Sequence, residues 1–348
     1  MRISVTDRCN LRCVYCMPRS TGRMCDTCGF GDDALTDDEI VRIVQAAAGI
    51  GIKHIRLTGG EPLLRPGLAG LVSRLVSVAG IESVDLTTNG ILLADYAGEL
   101  VHAGLRGVNV SLDTTDEDIF SKITGTAYKP ETVIDGIDAA LAAGLKVKIN
   151  SVLTDVNRDC WPDLIGLVKE RNSDIRFIEL MPIGNGRDHT GVSNPELKKW
   201  ITGRYGKLKE SGCEHSSENT GMNGITGKAS SNTGGSSNTG KSPDISHGNG
   251  PAQYYRLPGY RGCIGFISAI HGKFCDSCNR IRLTSAGILK SCLCYDSDID
   301  LRRILRNSAD TDEIAAVIAE AIRNKPKAHC FESPEMIPEH RSMSQIGG

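Results

Sequence analysis

Cys9, Cys13 and Cys16 stand as Cys-x3-Cys-x2-Cys in the run Asp7-Arg8-Cys9-Asn10-Leu11-Arg12-Cys13-Val14-Tyr15-Cys16. Three thiolates this close can grip three irons of a cubic iron–sulfur cluster, which has four irons and usually takes four thiolates. A motif that stops at three leaves one iron open for another molecule. Spacing alone leaves a zinc knuckle or a set of buried free cysteines equally open. A second set of three follows as Cys275-x2-Cys278-x13-Cys292, with Arg280 and Arg282 just after its second cysteine. By spacing that set suits a zinc ribbon, with Cys294, Cys263 or Cys330 as fourth ligand. Between the two sets, Thr58-Gly59-Gly60-Glu61-Pro62 offers a turn whose glycines let backbone approach a ligand, followed by a carboxylate.

These groups need a scaffold, and the hydrophobic pattern supplies one. Short β-branched runs are expected as strands at Arg2–Thr6, His54–Thr58, Ser83–Thr88, Gly107–Leu112, Lys146–Val152 and Asp174–Met181. Helical patterns fall between them near Asp37–Ala48, Gly67–Val78, Ala94–Ala103, Pro130–Ala143 and Trp161–Arg171, with Gly80, Gly104 and Gly144 at helix ends. Six βα repeats imply a parallel sheet with helices outside.

Alternation within the strands says what faces inward. A parallel strand buried under helices keeps its apolar side chains on that outer face. The inner set is then Arg2, Ser4 and Thr6; Arg56; Asp85, Thr87 and Asn89; Asn109, Ser111 and Asp113; Lys148 and Asn150. On the last strand, Glu179 and Met181 share the parity assigned inward. A closed eight-stranded barrel fills its centre with branched apolar residues. A centre of Arg, Lys, Ser, Thr and Asn is costly to bury without a ligand. The expected fold is therefore an incomplete parallel (βα)6 TIM-type barrel, open and wet inside, holding a polar anionic molecule, with a C-terminal cluster-binding extension.

Three regions follow. Residues 1–205 form the barrel. Residues 206–252 are expected to be a disordered insertion, because Ser, Gly, Asn and Thr make up 27 of the 40 residues in 211–250. Residues 253–348 form a cysteine-rich module with helices near Asp298–Asn307 and Asp310–Arg323 and a Gly347-Gly348 end. With 348 residues and 40% hydrophobic content, a large core is available. A net charge of −2 gives no general drive toward nucleic acid or anionic membrane. No signal peptide or long apolar run is evident. Thirteen cysteines clustered in short groups favour metal ligation in a reducing compartment, read as cytoplasmic.

The cysteine triplet with the glycine-rich turn resembles the radical S-adenosylmethionine enzymes. Within that superfamily, the whole set of motifs resembles the GTP 3′,8-cyclases that open molybdenum-cofactor biosynthesis. The resemblance runs through Thr6–Asn10, Thr58–Pro62, Leu86–Gly90, Asn109–Asp113, Arg176–Glu179, Phe274–Arg282 and the Gly-Gly end. It implies two [4Fe–4S] clusters, held by Cys9, Cys13 and Cys16 and by Cys275, Cys278 and Cys292. It implies that Tyr15, Gly60, Ser111 and Met181 contact S-adenosylmethionine. Arg2, Arg56, Thr87, Lys148, Arg280 and Arg282 would hold GTP, with no residue assigned as a catalytic acid or base. An external electron donor, a downstream cyclic pyranopterin monophosphate synthase and a homodimer are the implied partners. In the family the tail reaches into the active site. The runner-up within the superfamily is a peptide-modifying enzyme with an auxiliary cluster, and the rival of another class is a zinc-binding regulatory module.

Four features depart from the family pattern. Arg2 lies almost at the first residue, where relatives carry a lead-in, so the first strand could fray. Cys25-x2-Cys28 follows the first triplet, Cys294 could compete with Cys292, and the Ser/Gly/Asn insertion has no family counterpart. Anaerobic reconstitution should load about eight iron atoms per chain, from two four-iron clusters. Zinc without iron in that preparation would exclude the radical enzyme.

Overall fold

The computed structural model describes residues 1–17, 34–210, 250–272, 274–296, 299–307, 309–339 and 341–347. Cys25, Cys28, Gly348 and the 211–249 stretch lie outside the described residues.

The barrel half alternates as expected: β1 (Arg2–Ser4), α1 (Asp37–Gly49), β2 (His54–Thr58), α2 (Leu68–Val76), β3 (Ser83–Thr88), α3 (Leu93–His102) and β4 (Gly107–Ser111). It continues through α4 (Glu117–Thr124), α5 (Pro130–Ala142), β5 (Lys146–Leu153), α6 (Trp161–Glu170) and β6 (Ser173–Glu179). Local chemistry sets the helix ends. Thr36 and Glu39 form a capping box on α1. Gly104 and Gly144 take φ of 91° and 93° just past α3 and α5, a conformation glycine adopts without strain.

The second half adds α7 (Asn194–Tyr205), β7 (Lys209–Glu210), β8 (Gln253–Arg256), β9 (Ile264–Ile267), β10 (Arg282–Leu283), β11 (Ile288–Lys290) and β12 (Ile299–Asp300). It ends with α8 (Leu301–Arg306), α9 (Thr311–Arg323) and α10 (Met343–Ile346). Lys209 and Glu210, inside the stretch expected to be disordered, pair with β8 and belong to the sheet.

One sheet holds all twelve strands, in the order β12-β11-β10-β1-β2-β3-β4-β5-β6-β9-β8-β7. Strands β1 to β6 are parallel and sequential, the order of a TIM-type barrel stopped at six. The Arg176 charge on β6 acts on Arg2 on β1.

The C-terminal half completes both open edges. Strand β9 joins β6 in parallel, and β10 joins β1 in parallel. Residues 268–281, including Cys275 and Cys278, therefore cross from one edge of the barrel to the other. Strand β1 is flanked on both sides, by β2 and β10, so the expected fraying is not what the structure has. The module also docks on α1: Arg42 donates to the Ala309 carbonyl at 2.8 Å, and Arg306 pairs with Glu39 at 2.8 Å.

The outer face is the core. Ile3, Ile55, Leu57, Val84, Leu86, Val108, Val110, Ile149, Ile175 and Phe177 are all buried under the helices. Each such side chain contributes roughly 1.5–3 kcal/mol of burial. A second apolar cluster, Ile183, Cys294, Phe331, Ile337 and Ile346, ties the end of β6 to the C-terminal segment. No helix among the described residues is long and apolar enough to cross a membrane.

Candidate functional site

The first cysteine triplet sits past the end of β1, in a loop pinned from four sides. Arg12 and Val14 donate their amides to the carbonyls of Thr124 and Ile123 at 2.7 and 2.9 Å. Those acceptors belong to α4, a short helix the hydrophobic pattern had not revealed. Gly60 donates to the Thr6 carbonyl at 2.8 Å, and Glu61 to the Arg8 carbonyl at 2.7 Å. The Tyr15 hydroxyl donates to Asp113 Oδ2 at 2.5 Å, while Val152 N donates to Asp113 Oδ1 at 2.7 Å. Asn89 donates to Asn10 Oδ1 at 2.7 Å.

The glycine-rich turn packs tightly on the chain's own backbone. A Cβ on Gly60 would meet the Arg8 carbonyl oxygen at 2.3 Å, and one on Gly59 the Thr6 carbonyl oxygen at 2.5 Å. These glycines let the turn pack against the strand end that launches Cys9. Glu61 locks the same turn: it is fully buried and accepts from Leu63 N, Thr88 Oγ1 and Asn89 N at 2.7–3.0 Å. Burial raises its carboxyl to about 7 despite those donors, and raises Asp113 to about 6.

Burial also pushes the Cys9 thiol up to about 11 and Cys16 to about 12, and raises Cys13 strongly; neighbouring sulfurs add repulsion at Cys13 and Cys16. Three thiols that resist ionising together call for a compensating cationic group, so the donor set fits an iron–sulfur cluster. Among the described residues, no three His, Cys, Asp or Glu side chains gather as the ligands of one metal ion would. A zinc ion with bonds of about 2.3 Å draws its sulfurs to about 3.8 Å of one another. A cubic cluster binds each thiolate at a separate iron and holds them farther apart.

Below this loop the interior is cationic. Arg282, Arg2 and Arg56 stand in one row across β10, β1 and β2, and Asp85 on β3 continues it. Arg56 Nη2 lies 3.4 Å from Asp85 Oδ2. Burial first, then Arg282, Arg280, Arg56 and Arg176, drive Arg2 well below its ordinary range. Burial and Arg280 bring Arg282 down to about 10. These directions reflect burial first and then repulsion among the cations, since arginine keeps its charge in proteins. Lys148 comes down to about 8, through burial and then Arg176, partly offset by Asp174. Thr87 lies beside Asn109, which donates to its hydroxyl at 3.4 Å, and Asn109 is in register with Lys148. Ser111 ends β4 with its side chain exposed.

Strand β6 corrects the inward set. Lys148 registers with Asp174, Asn150 with Arg176, and Leu153 with Glu179. Asp174 and Arg176 therefore face inward, and Glu179 lies on the outer parity with Ile175 and Phe177. Glu179 instead anchors loops: it accepts from Asn194 N, Ile270 N, His271 N and His271 Nδ1 at 2.8–3.0 Å. Met181 lies beyond the strand, packed on the apolar cluster around Ile183. Arg176, which sequence reasoning passed over, bonds Asn150 Oδ1 at 2.9 Å. Gly265 makes room for it, because a Cβ there would meet Arg176 Cγ and Tyr254 Cε1 at 2.9 Å. The buried pair Ile175 and Phe177, read as the outward face, is the signal that places Arg176 inside.

In the second triplet, burial raises the Cys292 thiol, and the charges of Cys278 and Cys275 bear on it. Lys325, just past α9, donates to the Cys278 and Arg280 carbonyls at 2.8 and 2.7 Å and to Cys278 Sγ at 3.3 Å. Burial raises the Cys278 thiol, but the Arg280 amide and Lys325 outweigh it and the net direction is down. Arg280 stacks on Phe274, 5.0 Å from the ring centre. Of the fourth-ligand candidates, Cys263 lies at β9 with its amide on Asp174 Oδ1, and Cys294 faces Cys330. The tail enters the interior: Arg282 Nη1 donates to the Gly347 carbonyl at 2.6 Å, and a Cβ on Gly347 would come within 3.2 Å of Ser4 and Thr58 side chains.

Comparison with known proteins gives consistent matches. Residues 3–168 match the Radical SAM superfamily, and residues 235–331 match Molybdenum Cofactor Synthesis C. A GTP 3′,8-cyclase of Clostridium perfringens (strain 13 / Type A) is 41% identical over 351 residues, covering 100% of this chain and 97% of that protein. A GTP 3′,8-cyclase of Pelotomaculum thermopropionicum is 43% identical over 350 residues, covering 100% and 97%. Among solved structures, Streptococcus suis SuiB bound to S-adenosylmethionine aligns with a TM-score of 0.47 at 19% identity, over 58% of this chain and 47% of that one.

The packing of Gly60 yields a direct test. Gly60→Ala must displace the Arg8 backbone and with it Cys9, at a cost of about 1–3 kcal/mol from overpacking. Its iron content should fall from about eight to about four per chain, the loss confined to the first cluster. An alanine variant that keeps all its iron and its melting temperature would show that the turn does not position the cysteine loop.

Proposed function

The chain belongs to the GTP 3′,8-cyclase family of radical S-adenosylmethionine enzymes, and from that premise we propose how its own residues divide the work. It converts GTP to (8S)-3′,8-cyclo-7,8-dihydroguanosine 5′-triphosphate, the first step of molybdenum cofactor biosynthesis, with two [4Fe–4S] clusters and S-adenosylmethionine. When bound, the cluster and S-adenosylmethionine would supply the radical chemistry needed to join C3′ of GTP to C8.

Cys9, Cys13 and Cys16 hold the first cluster, and Tyr15, Gly60, Ser111 and Met181 border the place of S-adenosylmethionine. Cys275, Cys278 and Cys292 hold the second cluster at the open side. GTP lies between, on Arg2, Arg56, Thr87, Lys148, Arg280 and Arg282, to which we add Arg176. The observation that carries this reading is the convergence of buried like charges on one interior. A triphosphate relieves that repulsion, and guanidinium groups grip phosphate oxygens two at a time. Gly347, held by Arg282 against Ser4 and Thr58, fills the β1–β2 side and keeps water from it. The chain acts in the cytoplasm, takes its electron from an external donor and passes its product to a cyclic pyranopterin monophosphate synthase.

Anaerobic incubation with dithionite, S-adenosylmethionine and GTP, read by mass spectrometry, should give 5′-deoxyadenosine and the cyclised nucleotide. 5′-Deoxyadenosine with no GTP-derived product would remove GTP as substrate. Lys148 supplies a second test. Its ammonium is held near 8 in the ligand-free cavity, and a triphosphate beside it favours the charged form. GTP binding should therefore take up a proton, and affinity should fall as pH rises through about 8. Lys148→Arg should flatten that fall, while Lys148→Ala should weaken binding roughly tenfold at neutral pH. Calorimetry in buffers of different ionisation enthalpy reads both, and a wild-type profile flat from neutral to alkaline pH would take Lys148 away from the triphosphate.

A further inference from the structure

Among the described residues of the C-terminal half, three cysteines, Cys263, Cys294 and Cys330, belong to neither triplet, and the last two face one another. The sulfurs of Cys294 and Cys330 lie 2.8 Å apart, nearer than the 3.5–4.0 Å or so of ordinary van der Waals contact, although 36 positions separate them in the chain. The Cys330 amide also donates to Cys294 Sγ at 3.3 Å. Cys294 is fully buried among Ile183, Phe331, Ile337 and Ile346, whereas Cys330 is half-buried at the edge of that cluster.

The two residues sit at opposite sides of one seam. On one side is the loop that leaves Cys292. On the other is the segment that leads from α9 to the tail. The rest of the seam is polar: Tyr295 OH donates to the Ala328 carbonyl at 3.2 Å, buried Lys290 pairs with Glu339, and Arg341 pairs with Asp296. Arg187 adds donations to the carbonyls of Ile337 and Glu339, each at 3.0 Å. Everything after Cys330 up to Gly347, in the barrel interior, hangs from this seam.

We propose that Cys294 and Cys330 form a reversible dithiol–disulfide pair that fastens the C-terminal segment to the Cys292 loop. The oxidant is a low-molecular-weight disulfide. The accessible Cys330 thiolate attacks one of its sulfurs, breaking that bond and releasing one small thiol. Cys294 then gives up its proton and attacks the Cys330 sulfur, releasing the second small thiol. Two electrons pass from the protein pair to the small disulfide, and one protein disulfide forms for each small disulfide consumed. In the dithiol state only hydrogen bonds and apolar packing hold the segment, and the tail can leave the interior. In the disulfide state the segment is tethered beside the second triplet, and the tail returns more readily. Nothing in this step draws on the proposed ligands Cys275, Cys278 and Cys292.

The test uses the reconstituted holoenzyme, anaerobically, treated with glutathione disulfide or with dithiothreitol, then alkylated and digested without reduction. Glutathione disulfide should give a linked Cys294–Cys330 peptide and a loss of two hydrogens in intact mass, reversed by dithiothreitol, with iron content unchanged. Amide hydrogen exchange across 331–347 should slow several-fold in the oxidised form. Cys330→Ser should keep its iron, form no link and leave tail exchange insensitive to the oxidant. Both cysteines alkylated as free thiols after oxidation, or glutathione left stably on Cys330, would overturn the proposal. So would a link from either cysteine to Cys275, Cys278 or Cys292, or the same loss of two hydrogens in Cys330→Ser.

Discussion

The structure is organised around like charges that repel one another in a confined interior. Arg282, Arg2 and Arg56 cannot drift apart, because each is set on its own strand in a hydrogen-bonded register. Neighbouring strands stand about 4.8 Å apart, so the backbones that carry the three arginines lie within roughly 10 Å along one row. Arg280, Arg176 and Lys148 add to the same field from the other walls. What opposes this repulsion is the outer face of the same strands, where Ile3, Leu57, Leu86, Val110, Ile149 and Phe177 are locked under the helices. Asp85 and Asp174 offset part of the charge from within. The remaining imbalance is what a polyanionic substrate answers.

Such an interior needs walls on every side, and six strands do not close. The C-terminal half solves this by pairing with both edges, β9 on β6 and β10 on β1. The crossing between those strands delivers Cys275 and Cys278 to the gap, and the row of arginines gains Arg282 from the far side. The second thiol triplet is thus located by the same backbone pairing that completes the barrel. Lys325 fixes the Cys278–Arg280 stretch from a third direction, so the thiol loop and Arg280 are held together.

Sequence reveals most readily what depends on short spacing. The two triplets, the glycine-rich turn and the six strands with alternating faces were legible because each is a local pattern with one physical cause. Residues Arg2, Arg56 and Lys148 could be placed inward from parity alone. Strand β6 failed because both of its faces carry charge, and Glu179 was taken for a lumen residue when its partners are backbone amides of distant loops. Helix α4 and strands β7 to β12 are too short to build a periodic signal, and tertiary pairing decides them. The backbone packing of Gly59 and Gly60 was not legible for a related reason: a sequence cannot show that the chain's own backbone approaches so closely.

The vertical arrangement of charge gives the barrel a direction. The first triplet, with buried Glu61 and Asp113 beneath it, lies past the carboxyl ends of the strands. The arginines stand earlier along β1 and β2, at Arg2 and Arg56. The cations and the buried carboxyls thus lie at different depths of the barrel. Burial raises Glu61 and Asp113, while every hydrogen bond they accept favours the charged form, so two opposed effects meet on each carboxyl that braces the cysteine loop.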